Sequence, residues 1–297
     1  MAIMENQKKV RKHRLVESHP VMVSVLASFL WLVLCQLFQN IADAICIIAF
    51  DAYPRGLGPV GLIVSVPAAL FLYKWWFRPE FEGMLKGNFL LGFRLAVFEF
   101  IYVLLGEGLD SLVDGAISIK PLSMTILIAS FSAGIFEEFA FRGVLISTLM
   151  RQWKDLEKFR TAALISGLTF GLIHGMNFFA GADPIQTLFQ VLGCIGLGVL
   201  LAAAYLRSGS IIPMMFFHTL HDIIAIAFSS AVSNNGIITG EADLGWITWA
   251  SLALQIGLGV IGWWMLRPEK NSEMKELWNR KWKVQAAPAE ESAPAIE

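Results

Sequence analysis

Eight apolar runs, separated by polar or glycine-bearing stretches, pattern this chain: roughly Val21 to Phe50, Val60 to Trp76, Phe89 to Leu105, Leu122 to Met150, Ala162 to Phe179, Ile185 to Leu206, Ile211 to Ser230 and Trp246 to Leu266. A helix needs about 20 apolar residues to cross hydrocarbon, and most of the runs come close. The pattern predicts an all-α fold, a polytopic membrane helix bundle of about eight transmembrane helices. Phe89 to Leu105 is short for a span and carries Arg94 and Glu99. Leu122 to Met150 is longer than a span needs, so its last turns project from the bilayer or the helix tilts. Pro67 and Pro213 fall at kink or early-turn positions, which packed membrane helices tolerate. No internal repeat is visible, so the duplicated architecture of many transporters finds no support.

Composition agrees with the pattern. Of 297 residues, 56% are hydrophobic and 16% charged, against about 25% charged in soluble domains, and the mean hydropathy is +0.61. Charge placement orients the bundle. Lys8, Lys9, Arg11, Lys12 and Arg14 precede the first run, and the alternate connections and the tail are also basic: Lys74, Arg78 and Lys86; Arg151, Lys154, Lys158 and Arg160; Arg207; Lys270, Lys275, Arg280, Lys281 and Lys283. The other side has Arg55 and Lys120 but collects Glu107, Asp110, Asp114, Glu241 and Asp243. That alternation predicts both termini in the cytoplasm.

Three parts follow: a basic cytoplasmic segment over 1–20, an eight-helix membrane domain over 21–266, and a cytoplasmic tail over 267–297. In the tail, Pro268 to Val284 suits a short amphipathic surface helix, and the Ala/Pro/Glu-rich end from Ala286 suits disorder. The first run lacks a small-residue cleavage signature, so a removable signal peptide is not expected. Cys35, Cys46 and Cys194 lie in or near apolar runs without CxxC spacing and read as packing residues. There is no Rossmann glycine pattern, P-loop or zinc-finger spacing, and the basic clusters suit lipid headgroups rather than nucleic acid.

Ionisable residues inside the runs are costly in hydrocarbon and point to function. Glu137, Glu138 and Arg142 share the fourth run, His174 lies in the fifth, and His218 and Asp222 in the seventh. Glu138 and Arg142 are four apart and can pair on one helix face, whereas Glu137 points about 100° away from Glu138. Counted from the loop between their runs, Glu137 is about 13 residues before Met150 and His174 about 12 after Ala162, so at 1.5 Å per residue their depths match. His218 and Asp222 share a face and His221 lies on a neighbouring one, where it reads as a local hydrogen-bonding residue. Gly134, Gly167, Gly171 and Gly175, with Ala133, would let these helices approach closely.

These groups suit hydrolysis by a directly attacking water. A buried Glu137 can take a proton from water that His174 positions or whose proton it shares. His218 can donate to the oxyanion that develops on the carbonyl, and an Asp222 contact can fix its tautomer. No Ser or Cys is placed as convincingly, which disfavours an acyl-enzyme. No cofactor is required by this account. An alternative makes Glu137, His174 and His218 a His2Glu zinc set with water in the fourth position, although no HExxH pair is present. A non-enzymatic membrane scaffold, in which the polar groups serve stability alone, and a proton-coupled transporter remain competing readings.

The order EExxxR at Glu137 to Arg142, FxxxH at Phe170 to His174 and HxxxD at His218 to Asp222 resembles the CPBP family of intramembrane proteases. That family takes in the CAAX prenyl endopeptidases of the Rce1 type and the bacterial Abi proteins associated with bacteriocin self-immunity. The resembling core runs from about Pro121 to Ser230. The resemblance implies an eight-helix core with a cavity open to the cytoplasmic side and the membrane, and a metal-independent glutamate mechanism. Glu137 would be the general base with His174, His218 would help form the oxyanion hole with Asp222, and Glu138 and Arg142 would shape the site or contact substrate. The prenyl-protease form usually has Asn where this chain has Asp222. An ionised carboxylate cannot donate to an oxyanion, so the residue would orient His218 or donate as the acid. The implied partners are the lipid bilayer and a peptide or membrane-protein substrate, prenylated or bacteriocin-related, in a bacterial plasma membrane.

Overall fold

The computed structural model describes residues 18–50, Val66, Pro67, Leu70, Phe71, Lys74, 81–113, Ile119, 121–228 and 244–282. Among them there is no strand, and the fold is all-helical. The helices are α1 (Pro20–Phe50), α2 (Phe89–Val113), α3 (Met124–Glu138), α4 (Ser147–Trp153), α5 (Phe159–Ile173), α6 (Met176–Phe179), α7 (Pro184–Ser208), α8 (Ile212–Phe228), α9 (Trp246–Met265) and α10 (Asn271–Lys281). A π-helical segment, Phe139–Ile146, joins α3 to α4 without a break.

Among the described residues, five helical stretches are long and apolar enough to cross a membrane: Pro20–Ala49, Phe89–Gly106, Phe159–Phe179, Pro184–Ser208 and Trp246–Met265. α8 is apolar but shorter than these. The second expected run, Val60 to Trp76, falls largely outside the described residues, as do most of the basic N-terminal segment and the tail from 283 onward. Along α1 the large apolar side chains left exposed include Leu26, Leu30, Val33, Leu37, Ile41, Ile45 and Ile48. An apolar stripe of that length facing outward is what lipid contact requires, and the chain is an integral membrane protein. Aromatic residues mark the ends of α9, where Arg160 lies over Trp263 and Arg267 over Trp264, as expected near a membrane interface.

α7 is the hub. Leu200 to Leu206 are fully buried, because α5, α9, α2 and the π segment all pack around this helix; a helix apolar all round belongs in the centre. Its start is fixed by Asp183, whose carboxylate accepts from the Ile185 and Gln186 N–H groups at 2.9 Å each, with Pro184 at the first helical position. Gly209 ends it at φ +71°, a conformation that favours glycine.

Two tight contacts set the spacing of the site helices. A Cβ on Gly134 of α3 would lie 2.8 Å from the Thr219 nitrogen of α8, and one on Gly167 of α5 would lie 2.9 Å from the Ile195 carbonyl of α7. Only glycine admits backbones this close.

At one end of the bundle the 81–88 connection is tied to the α7–α8 turn and to α10. The Asn88 N–H donates to Ser208 O at 2.8 Å, and the Ile211 N–H donates to Met84 O at 3.0 Å. Lys281 donates to the Gly83 and Lys86 carbonyls at 2.6 Å each. The amphipathic helix expected after Pro268 is present as a single 3₁₀ turn followed by α10, which buries Met274 and Trp278.

Candidate active site

The fourth apolar run does not stay α-helical. From Phe139 to Ile146 it is π-helical, and all eight residues are buried. Such segments leave backbone groups to be satisfied from outside; here the Ser166 hydroxyl of α5 donates to Phe141 O at 3.0 Å. π segments inside α-helices are frequent at functional sites, and this one begins immediately after the paired glutamates.

Glu138 and Arg142 form the expected i,i+4 pair, 2.6 Å apart with both side chains at 0% exposure. Arg142 also donates to Gly198 O of α7 at 3.3 Å, and its guanidinium lies 4.6 Å from the centre of the Phe170 ring. A buried ion pair survives only where extra hydrogen bonds offset desolvation, and α7 supplies one.

Glu138 has a second task that the sequence did not disclose. His218 Nδ1 lies 2.9 Å from Glu138 Oε1. A carboxylate accepts, so Nδ1 carries the hydrogen and the tautomer is set. The other ring nitrogen, Nε2, then points to Glu137 Oε2 at 3.9 Å and Asp222 Oδ2 at 3.8 Å. The expectation that Asp222 fixes the His218 tautomer is corrected: Glu138 does so, because the Gly134–Thr219 contact brings α3 against α8.

His174 is the C-cap of α5, where the expected fifth span breaks into α5 and the short α6 through Gly175. Its Nδ1 is 2.8 Å from Phe170 O, one turn back; a carbonyl accepts, so Nδ1 donates and Nε2 is left for a further partner. The Glu137 and Cys194 side chains are within interaction range of this imidazole, and Asp222 is likewise in range of it. Cys194, expected to serve packing alone, therefore borders the site.

Phe170 organises the aromatic side. Its ring stands edge-on to His174 at 4.9 Å and to His218 at 5.6 Å between centroids. All six sequence-nominated residues thus belong to one cluster: Glu137, Glu138, Arg142 and Asp222 meet around His218, and His174 joins across Phe170. Glu137 and Asp222 are partly open, their side chains 26% and 24% exposed, while His218 is 5% exposed and Glu138 fully covered. Glu137 Oε2 and Glu138 Oε2 are buried without a hydrogen bond.

Three carboxylates, two imidazoles and one guanidinium meet here, and groups this closely coupled exchange protons as a set rather than one residue at a time. This is the equipment of general acid–base chemistry.

For the zinc alternative, among the described residues no three His, Cys, Asp or Glu side chains converge as a metal site requires. His218 and His174 each donate through Nδ1 to oxygen, the outer contact a ligating histidine commonly has.

His221 turns to a different partner: its Nδ1 lies 3.6 Å from Glu99 Oε1 of α2, on a face of α8 about 60° round from His218. Sequence reasoning noted Glu99 only as a blemish in a short span; a second ionisable residue in a facing run was the available signal.

Residues 120–224 match the family described as type II CAAX prenyl endopeptidase, Rce1-like, over the stretch that carries all three motifs. The resemblance drawn from EExxxR, FxxxH and HxxxD points to the same family. No curated protein and no solved structure matches the chain.

Proposed function

We propose that the protein is an intramembrane endopeptidase of the glutamate type, in which Glu137 activates the attacking water. The observation that carries this is the setting of His218 between Glu138 Oε1 at 2.9 Å and Glu137 Oε2 at 3.9 Å inside an apolar bundle. The match over 120–224 to a family of prenyl endopeptidases favours peptide-bond hydrolysis over a scaffold or a transporter.

Glu137 is the base because it alone of the two glutamates is open and unclaimed by Arg142. Water between Glu137 and His174 gives up a proton as it adds to the scissile carbonyl, whose oxygen becomes an oxyanion. His218, when protonated at Nε2, donates to that oxyanion, with Glu138 holding the ring from behind. The tetrahedral intermediate collapses when the proton taken by Glu137 passes to the leaving nitrogen; the C–N bond breaks and acid and amine products form. Asp222 lies beside Nε2 and shares in its charge rather than donating to the oxyanion. The Glu138–Arg142 pair fixes the rear wall. No metal takes part in this scheme.

The substrate is a peptide or membrane-protein segment whose scissile bond reaches the bundle from the lipid side. A C-terminally prenylated peptide and a bacteriocin-related peptide both have the required apolar character. Both chain ends lie in the cytoplasm of a bacterial plasma membrane in this reading, which rests on the basic connections.

The experiment is mass spectrometry of peptides released in membranes holding the parent chain or E137A. New termini present only with the parent support the proposal. An identical peptide set from both would refute it. Loss of cleavage on chelation, restored by zinc, would shift the reading to the zinc alternative.

A further inference from the structure

Glu99 is fully buried in α2, and neither carboxylate oxygen has a hydrogen bond. His221 Nδ1, 3.6 Å from Glu99 Oε1, is also without one. The two groups face each other just beyond hydrogen-bond distance, and between them one proton makes them neutral. Behind His221 the packing is built: its ring lies on Tyr102 with centroids 5.9 Å apart and planes at 27°. The Tyr102 hydroxyl meets Ser251 Oγ of α9 at 3.1 Å and accepts from Gln255 Nε2. Glu99 lies outside the stretch that matches the peptidase family, and nothing in the scheme above uses it.

The position of His221 on α8 is what matters. His218, His221 and Asp222 fall within about 100° of the helix circumference at 100° per residue. α8 therefore meets carboxylates on two adjoining faces, Glu138 of α3 on His218 and Glu99 of α2 on His221. Releasing one contact lets the helix rotate. An imidazole tip lies about 6 Å from a helix axis, so a 20° rotation moves it by about 2 Å, and a 1 Å misplacement at a reacting centre can cost about 100-fold in rate. The charged groups in range of Glu99 are His218 and Asp222 of α8, Glu138 of α3 and Arg142 of the π segment, so Glu99 also acts on the field at the site.

We propose that Glu99 is a positioning residue for the peptidase site, acting through His221 on the rotational setting of the helix that carries His218 and Asp222. The kinetic part rests on the peptidase reading; the positioning itself does not.

The test uses the full chain in detergent, as parent, E99Q, H221Q and the double variant, with ¹⁵N-labelled histidine. Each single substitution is expected to lower kcat about 10- to 100-fold while KM stays within about two-fold, the mark of a group that acts on the reacting geometry. The double variant should be no slower than the worse single one, because the pair acts as a unit. The His218 ring nitrogen resonances should move in E99Q. A folded E99Q with parental kcat and unmoved His218 resonances overturns the inference, as do single effects that multiply in the double variant. H221Q provides the same reading should E99Q not fold. Moved resonances in a parent that hydrolyses no peptide would leave the positioning intact and sink the peptidase reading instead.

Discussion

Glu138, rather than Asp222, holds His218: Nδ1 stands 2.9 Å from Glu138 Oε1, while Asp222 Oδ2 is 3.8 Å from Nε2. The same Glu138 oxygen meets Arg142 at 2.6 Å. One buried carboxylate thus couples the π segment to the histidine of another helix, and its loss acts on stability and chemistry together.

E138A leaves Arg142 buried with Gly198 O as its hydrogen-bond acceptor. Removing one member of a buried ion pair costs about 3 to 5 kcal/mol, so thermal unfolding in detergent should fall steeply. E138Q keeps the shape and an acceptor oxygen, and should fold better than E138A yet hydrolyse more slowly than the parent.

In the proposed mechanism H218A removes the oxyanion donor, and it should then lower kcat about 10²- to 10³-fold with little change in KM. D222N keeps the shape but removes the charge that Asp222 sets beside Nε2, so it should lower kcat, and D222A should lower it at least as far. Peptide-release kinetics check both; parental kcat in both variants would argue against any part for this side chain.

Gly134→Ala sets a Cβ against the Thr219 backbone nitrogen at 2.8 Å. Overpacking of this kind costs about 1 to 3 kcal/mol, and it pries α3 from α8 where Glu138 meets His218. Activity should fall further than the loss of folded protein accounts for, measured as kcat per folded molecule.

Burial pushes the Lys281 ammonium of α10 down to about 8 from its ordinary 10.5. Between these values the unfolded chain binds more protons than the folded one, so stability should rise with pH from about 8 to about 10. Below about 8 the penalty is complete and this slope vanishes. K281M should abolish that rise in melting temperature while leaving the rest of the pH profile in place.

Much of this architecture could be read from the residues. The apolar runs located the helices because a membrane helix announces itself by length and composition, and the spacing of Glu138 and Arg142 gave their pairing. The π segment was not legible, since Phe139 to Ile146 carry no composition that separates π from α winding. The end of α5 at His174 was hidden because Gly175 and the apolar Met176 to Phe179 continue the run. The Glu138–His218 bond could not be foreseen: it joins residues 80 apart and depends on how closely Gly134 lets two helices approach. Glu99 and His221 went unpaired because each, alone, looks like a single polar residue in an apolar run.

The most direct measurement is kcat/KM of purified parent and E137Q on a peptide identified by release in membranes, with folding of both verified. The substitution keeps the size of the side chain and removes its ability to take a proton from water. A loss of about 10³-fold or more in a folded E137Q is the expected result; hydrolysis within about ten-fold of the parent would contradict a glutamate-activated water.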